Sequence, residues 1–116
     1  NKSFRVLLDA NSFAKTLNNS MFAFISGGTI TYESAFLNIP MQIVTVAKNQ
    51  IKQSEAWDNN NNARYVGDIE TVDSLMLKNS HEKFFTNQDS INKWFKYRKI
   101  NVDGLGAERI MNYTIK

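Results

Sequence analysis

The sequence predicts an α/β domain in which helices pack on a small parallel sheet of about four strands. Three observations carry that prediction. Two short runs, Phe22 to Ile25 (FAFI) and Met41 to Val46 (MQIVTV), are dominated by apolar and β-branched residues, as in strands buried on both faces. The first run stops abruptly at Ser26-Gly27-Gly28, a strand-to-turn junction. Between the runs, Thr31 to Leu37 suits a short helix with Ala35, Phe36 and Leu37 inward, and Asn38-Ile39-Pro40 ends it, because the residue before a proline is pushed out of the α region. Strand, glycine turn, helix and strand make a βαβ crossover whose polar residues gather at the carboxyl ends of the strands, where open α/β sheets bind ligands.

The remaining elements follow in order. Phe4 to Leu8 (FRVLL) reads as a first strand, with Asp9 and Asn11 as turn or capping residues. Phe13, Ala14 and Leu17 share one face of a short helix that ends in Asn18-Asn19-Ser20. After Val46 the polar group Lys48-Asn49-Gln50 leads into a helix from Gln50 to Asp58, which the asparagines at 59–62 break. Ala63 to Val66 is a brief strand ending at Gly67-Asp68. Ile69 to Leu77 and Glu82 to Phe85 read as two helical pieces around a loop at Asn79-Ser80. Asn87 to Lys99 is a longer amphipathic helix, and Asp103-Gly104-Leu105-Gly106 turns into a last helix, Ala107 to Ile115. The chain is one domain over 1–116, with residues 87–116 forming C-terminal helices.

The chemistry of the glycine turn points to an anion. Gly27 and Gly28 carry no side chains to block a ligand, and the amides of Gly28, Thr29 and Ile30 fall at a helix N-terminus. Glu33, about one turn further in, lies too deep to cap, and a carboxylate beside a phosphate site is unfavourable unless it serves another group such as ribose hydroxyls. From spacing alone the Gly-Gly pair is equally well a plain tight turn and Glu33 a solvated helix residue.

The segments S-G-G-T-I-T-Y-E, N-I-P and V-A-K-N-Q, in that order, resemble the nucleotide-sugar site in the C-terminal domain of GT-B-fold enzymes. The likeness is to the UDP-sugar hydrolase of pseudaminic acid biosynthesis and related spore-coat polysaccharide biosynthesis proteins, and more distantly to the N-acetylglucosaminyl transferase of peptidoglycan synthesis. It runs from about Phe4 to Asp68 and returns at D-G-L-G-A-E-R-I, Asp103 to Ile110. The resemblance implies a Rossmann-like three-layer domain, the C-terminal half of a GT-B enzyme, that binds UDP or a UDP-sugar and needs no cofactor or metal. It implies that Ser26, Gly27, Gly28, Thr29 and Ile30 cradle the phosphates, that Glu33 takes the ribose hydroxyls, and that Asn49 and Gln50 meet phosphate or sugar. It places the loop Asp9 to Phe13 near the base. The family's catalytic histidine belongs to an N-terminal domain without a counterpart here, so the chain is expected to bind but not to catalyse. The resemblance points first to the binding domain of a nucleotide-sugar hydrolase, with a glycosyltransferase C-terminal domain or a non-catalytic interaction module as alternatives. Beginning at Asn1, the chain reads as a fragment, a processed chain or an excised domain.

Composition agrees with a globular binding domain. The chain has 116 residues, 42% hydrophobic and 22% charged, with 14 basic and 11 acidic residues for a net charge of +3. That balance favours anionic ligands without requiring nucleic acid, and no nucleic-acid partner is expected. The absence of cysteine excludes disulfides and thiolate metal sites and fits a reducing, cytoplasmic setting. No apolar stretch is long enough to span a membrane. The stretch Lys93 to Lys99 (KWFKYRK) interleaves basic and aromatic residues, a pattern found on nucleic-acid binders, but reads better as a helix whose Ile91, Trp94 and Phe95 cover the sheet. Asp68, Glu70 and Asp73 match no metal-ligand spacing and read as helix N-terminal acids. His81, alone in a polar helical stretch, is assigned no role, and Arg109 reads as an anchor for the last helix. Strand edges left open by a half-sheet predict self-association.

Overall fold

The computed structural model describes residues 13–84 and 88–115. The expected strand at Phe4 to Leu8, residues 9–12 of the loop expected near a base, and Phe85 and Asn87 lie outside them. The elements run α1 (Phe13–Asn18), β1 (Ala23–Ile25), α2 (Ile30–Phe36), β2 (Met41–Thr45), a 3₁₀ turn (Lys48–Gln50), α3 (Ile51–Asn59), β3 (Ala63–Asp68), α4 (Ser74–Phe84), α5 (Gln88–Tyr97) and α6 (Gly106–Ile115). Among the described residues the sheet has three parallel strands in the order β1-β2-β3, a small open α/β sheet compatible with a Rossmann-like domain.

Each step across the sheet is a helical crossover in the same direction, so α2 and α3 cover the same face. That face presents Met41 and Ile43 from β2, both fully buried, against Ala35 of α2, Trp57 of α3 and Ala63 of β3. The Tyr32 and Trp57 rings pack in a T-shaped arrangement with centroids 5.2 Å apart, and the contact ties the two helices together. Leu17 of α1 joins Ala23 and Ile39 in a smaller cluster beside it. Every residue of β2 is buried, as expected of a central parallel strand.

Helix α2 ends as its sequence requires. Asn38 takes a left-handed φ of 59°, and the Ile39 amide reaches back to the Ser34 carbonyl at 2.9 Å. Pro40 then offers its carbonyl to the Ala23 amide at 2.8 Å, starting the β1–β2 pairing. Phe36 departs from expectation. It is about half exposed, and its ring lies against the Gly104 turn, where an added Cβ would come within 2.9 Å of Phe36 Cε1. Gly104 has φ +78°, so both its backbone and its contact exclude a side chain.

Strand β3 runs on through Gly67 and Asp68, beyond the expected end at Val66. A register shift opposite Ile43 and Val44 pairs Val44 with Gly67 and Thr45 with Asp68, and Gly67 adopts φ +146° there. The Asp68 carbonyl accepts the amides of Thr71 and Val72, each at 2.9 Å, which holds 69–72 in a turn where helix was expected. Helix α4 starts only after Asp73, whose Oδ1 accepts the Met76 amide at 2.8 Å. It is then one helix through Asn79 and Ser80. These residues have low helix propensity, but the cost is a few tenths of a kcal/mol each, and packing of α4 on β3 overrides it. His81 is half-buried, its ring 4.9 Å from that of Phe22.

The C-terminal segment is clamped by one asparagine. Asn62 is 1% exposed, donates Nδ2 to the Ile100 carbonyl (2.8 Å) and accepts the Ile100 amide on Oδ1 (2.9 Å). Its own carbonyl accepts Trp94 Nε1 at 2.8 Å, which seats the buried Trp94 of α5. Phe95, expected to cover the sheet, is instead about half exposed beside Arg98. The Arg109 guanidinium in α6 is ion-paired to both carboxylate oxygens of Asp103, just before the helix.

Candidate functional site

The carboxyl ends of the three strands divide into a closed side and an open side. The closed side lies between β2 and β3. Tyr65 Oη and Thr45 Oγ1 are 2.8 Å apart, and Thr45 Oγ1 donates to Asp68 Oδ1 at 3.1 Å. The Ile69 amide donates to the Thr45 carbonyl at 2.8 Å. The bulge in β3 makes this possible by bringing Asp68 level with Thr45. These polar groups satisfy one another and offer a ligand little.

The open side is the glycine turn between β1 and α2. Gly27 is buried, and a Cβ there would lie 2.3 Å from Ser54 Oγ, 3.0 Å from Gln50 Cβ and 3.2 Å from Thr45 Cγ2. Only glycine lets the turn sit so close to the first turn of α3. Thr29 occupies the N-cap of α2 with φ −61° and ψ −23° and makes no side-chain cap. The first helical amides that find acceptors are Thr31, bonded to the Gly28 carbonyl, and Tyr32, bonded to that of Thr29. Among the described residues, the amides of Gly28, Thr29 and Ile30 have no acceptor. Since α2 has only seven residues, its macrodipole adds little, and the donors act through their local partial charges.

Gln50 completes this arrangement. Its Oε1 accepts the Val46 amide at 3.0 Å, which assigns Nε2 as the other end of the amide, and Nε2 lies 3.5 Å from the point a Gly28 Cβ would occupy. A side-chain donor thus faces the turn from across the cleft. Buried Thr31 braces the turn from below: its Oγ1 donates to the Gly28 carbonyl (2.8 Å) and accepts Gln53 Nε2 (2.9 Å). Ser54 Oγ donates to the Gln50 carbonyl at 2.8 Å and holds the 3₁₀ turn against α3.

Of the residues singled out in the sequence, Gly27, Gly28, Thr29, Ile30 and Gln50 come together at this turn, with half-buried Ser26 at its start. Glu33 is exposed one turn into α2, and Asn49 is exposed in the 3₁₀ turn that replaces the expected loop start of α3. Gln53 and Ser54 were not singled out. The only signal for them is indirect, since a glycine that must be bare implies a close neighbour without naming it. Among the described residues no group of His, Cys, Asp and Glu is arranged to hold a metal, and no helix is long and apolar enough to cross a membrane. No protein-family model matches the chain, and no curated protein or solved structure matches it either.

Proposed function

We propose that this chain is a nucleotide-sugar-binding domain, with UDP or a UDP-sugar held by its diphosphate at the glycine turn. The observation that carries the reading is that three consecutive amides (Gly28, Thr29, Ile30) have no acceptor among the described residues, in a turn where Gly28 has no side chain and lies close to Gln50 Nε2. Fixed, uncharged donors of this kind stabilise an anion without having to reorganise. The resemblance of S-G-G-T-I-T-Y-E, N-I-P and V-A-K-N-Q to the GT-B nucleotide-sugar site supplies the ligand class and the surface-polysaccharide or pseudaminic-type setting. In the same reading the chain is the C-terminal half of a GT-B hydrolase or transferase, and Glu33 accepts the ribose hydroxyls. The turn offers donors alone, so the reading assigns binding to this domain and bond-breaking elsewhere.

The test compares UDP with inorganic pyrophosphate on wild type and Glu33→Gln by calorimetric titration. A carboxylate that accepts ribose hydroxyls contributes about 1.5–3 kcal/mol through charge-assisted bonds, so the variant loses UDP affinity and keeps pyrophosphate affinity. Equal losses for both ligands exclude Glu33 as the ribose reader. A second reading, a self-associating interaction module, rests on Phe24. This residue is about half exposed in β1, which among the described residues pairs with β2 alone. Sedimentation of wild type and Phe24→Lys at micromolar concentration tests it, and a monomeric wild type excludes it.

A further inference from the structure

Three donors hold the carbonyl of Gly28. Thr31 contributes its amide at 3.1 Å and its hydroxyl at 2.8 Å, and Gln53 Nε2 approaches from α3 at 3.5 Å. Gln53 Nε2 also donates to Thr31 Oγ1 at 2.9 Å. Proton counting fixes the direction of this chain. The one proton of Thr31 Oγ1 is committed to the Gly28 carbonyl, so toward Gln53 the hydroxyl can only accept, and the group facing it must be the amide nitrogen. The two N–H groups of that nitrogen serve the hydroxyl and the carbonyl together.

The consequence lies at the other end of the same peptide. A trans peptide is planar, so its carbonyl and its N–H point in opposite directions. Donors that hold the Gly28 carbonyl therefore aim the Thr29 N–H away from themselves, and Thr29 is one of the turn amides without an acceptor among the described residues. A carbonyl that accepts several hydrogen bonds also polarises its peptide, which strengthens the N–H at the far end as a donor. Thr31 is fully buried, so its hydroxyl acts on the turn and not on a ligand. The start of α3 meets the turn at two further points, since Ser54 Oγ confines Gly27 and Gln50 Nε2 lies beside Gly28. We infer that Gln53, acting through Thr31, is a positioning residue that sets the Gly28–Thr29 peptide, so that the placement of α3 controls the donor the turn presents. The effect on anion affinity rests on the reading of the turn as a diphosphate site; the orientation of the peptide does not.

The experiment uses the full chain as wild type, Thr31→Val, Thr31→Ser and Gln53→Met. In the free proteins, NMR reads the Gly28 carbonyl carbon and the Thr29 amide nitrogen, which belong to one peptide. Both signals are expected to shift in Thr31→Val and Gln53→Met and to return close to their wild-type positions in Thr31→Ser. Hydrogen exchange at the amide of fully buried Ile43 verifies the fold in each variant. Inorganic pyrophosphate is then titrated. Its Kd is expected to rise about tenfold in Thr31→Val and Gln53→Met, as for the loss of one hydrogen bond to a charged group, and to stay within about twofold of wild type in Thr31→Ser. A merely structural pair would lower stability without moving the Kd of the folded protein. Unmoved Gly28 and Thr29 signals in both Thr31→Val and Gln53→Met overturn the inference, as does pyrophosphate binding by Thr31→Val as tight as that of wild type. If wild type binds neither pyrophosphate nor UDP, the diphosphate reading falls, and the free-protein signals alone decide the inference, for or against.

Discussion

At the scale of single residues, two small side-chain facts hold the molecule in shape. Gly27 is confined by Ser54 Oγ at 2.3 Å from any added Cβ, with Gln50 and Thr45 closing the other directions. Gly27→Ala should therefore destabilise the fold by about 1–3 kcal/mol through overpacking, and should displace Gln50 from the turn. Chemical denaturation measures the loss. The loss should shrink in a Ser54→Ala background, because the closest clash is with the hydroxyl that substitution removes. Asn62 works by satisfying others: both the amide and the carbonyl of Ile100 depend on its side chain. Asn62→Ala strands those two groups in a part-buried site, and we expect a loss of about 2–3 kcal/mol. Hydrogen exchange at the Ile100 amide should rise by a larger factor than at Ile43. Equal increases would mean that Asn62 contributes to global stability without clamping the C-terminal segment.

At the scale of elements, the βαβ unit was legible because its signals are local. Apolar runs, the glycine pair and the Asn-Ile-Pro stop place β1, α2 and β2 within a residue or so, and the glycine pair singles out Gly27 and Gly28, whereas Gln50 was pointed to only by the resemblance of V-A-K-N-Q. Helix α4 was not legible, since Asn79-Ser80 looks like a loop until β3 is there to pack against. The inward contact of Phe36 was misplaced for a similar reason, as its partner, Gly104, lies 68 residues away in the chain. Gln53 and Ser54 escaped because polar residues on the inner side of a helix carry no periodic signal. The last helix offers a pH test. The Arg109 guanidinium, then the Leu105 amide, hold the Asp103 carboxyl below its ordinary value, and Asp103 in turn raises Arg109. A depressed carboxyl contributes to anchoring above its unfolded pKa, and the contribution is lost as pH falls through the lower, folded value. The Leu105 amide, 3.0 Å from Asp103 Oδ1, should titrate with a midpoint below the ordinary aspartate value of about 3.9. A midpoint at or above it would show that the pair does not persist in solution.

At the scale of the whole molecule, the carboxyl ends of the strands differ in how their polar groups are satisfied. Thr45, Tyr65 and Asp68 close the ends of β2 and β3 on one another, while the amides of Gly28, Thr29 and Ile30 after β1 have no acceptor among the described residues. The account therefore stands on where an anionic nucleotide lands. The most direct measurement is an amide-resolved NMR titration of wild-type chain with UDP. The account predicts that Gly28, Thr29, Ile30 and the Gln50 side-chain amide move first and saturate together, with a Kd on the order of 0.1–1 mM, about −5 kcal/mol. If those signals stay in place up to roughly 10 mM UDP, or if all movement is confined to residues 93–99, the glycine turn is a structural junction and the central claim fails.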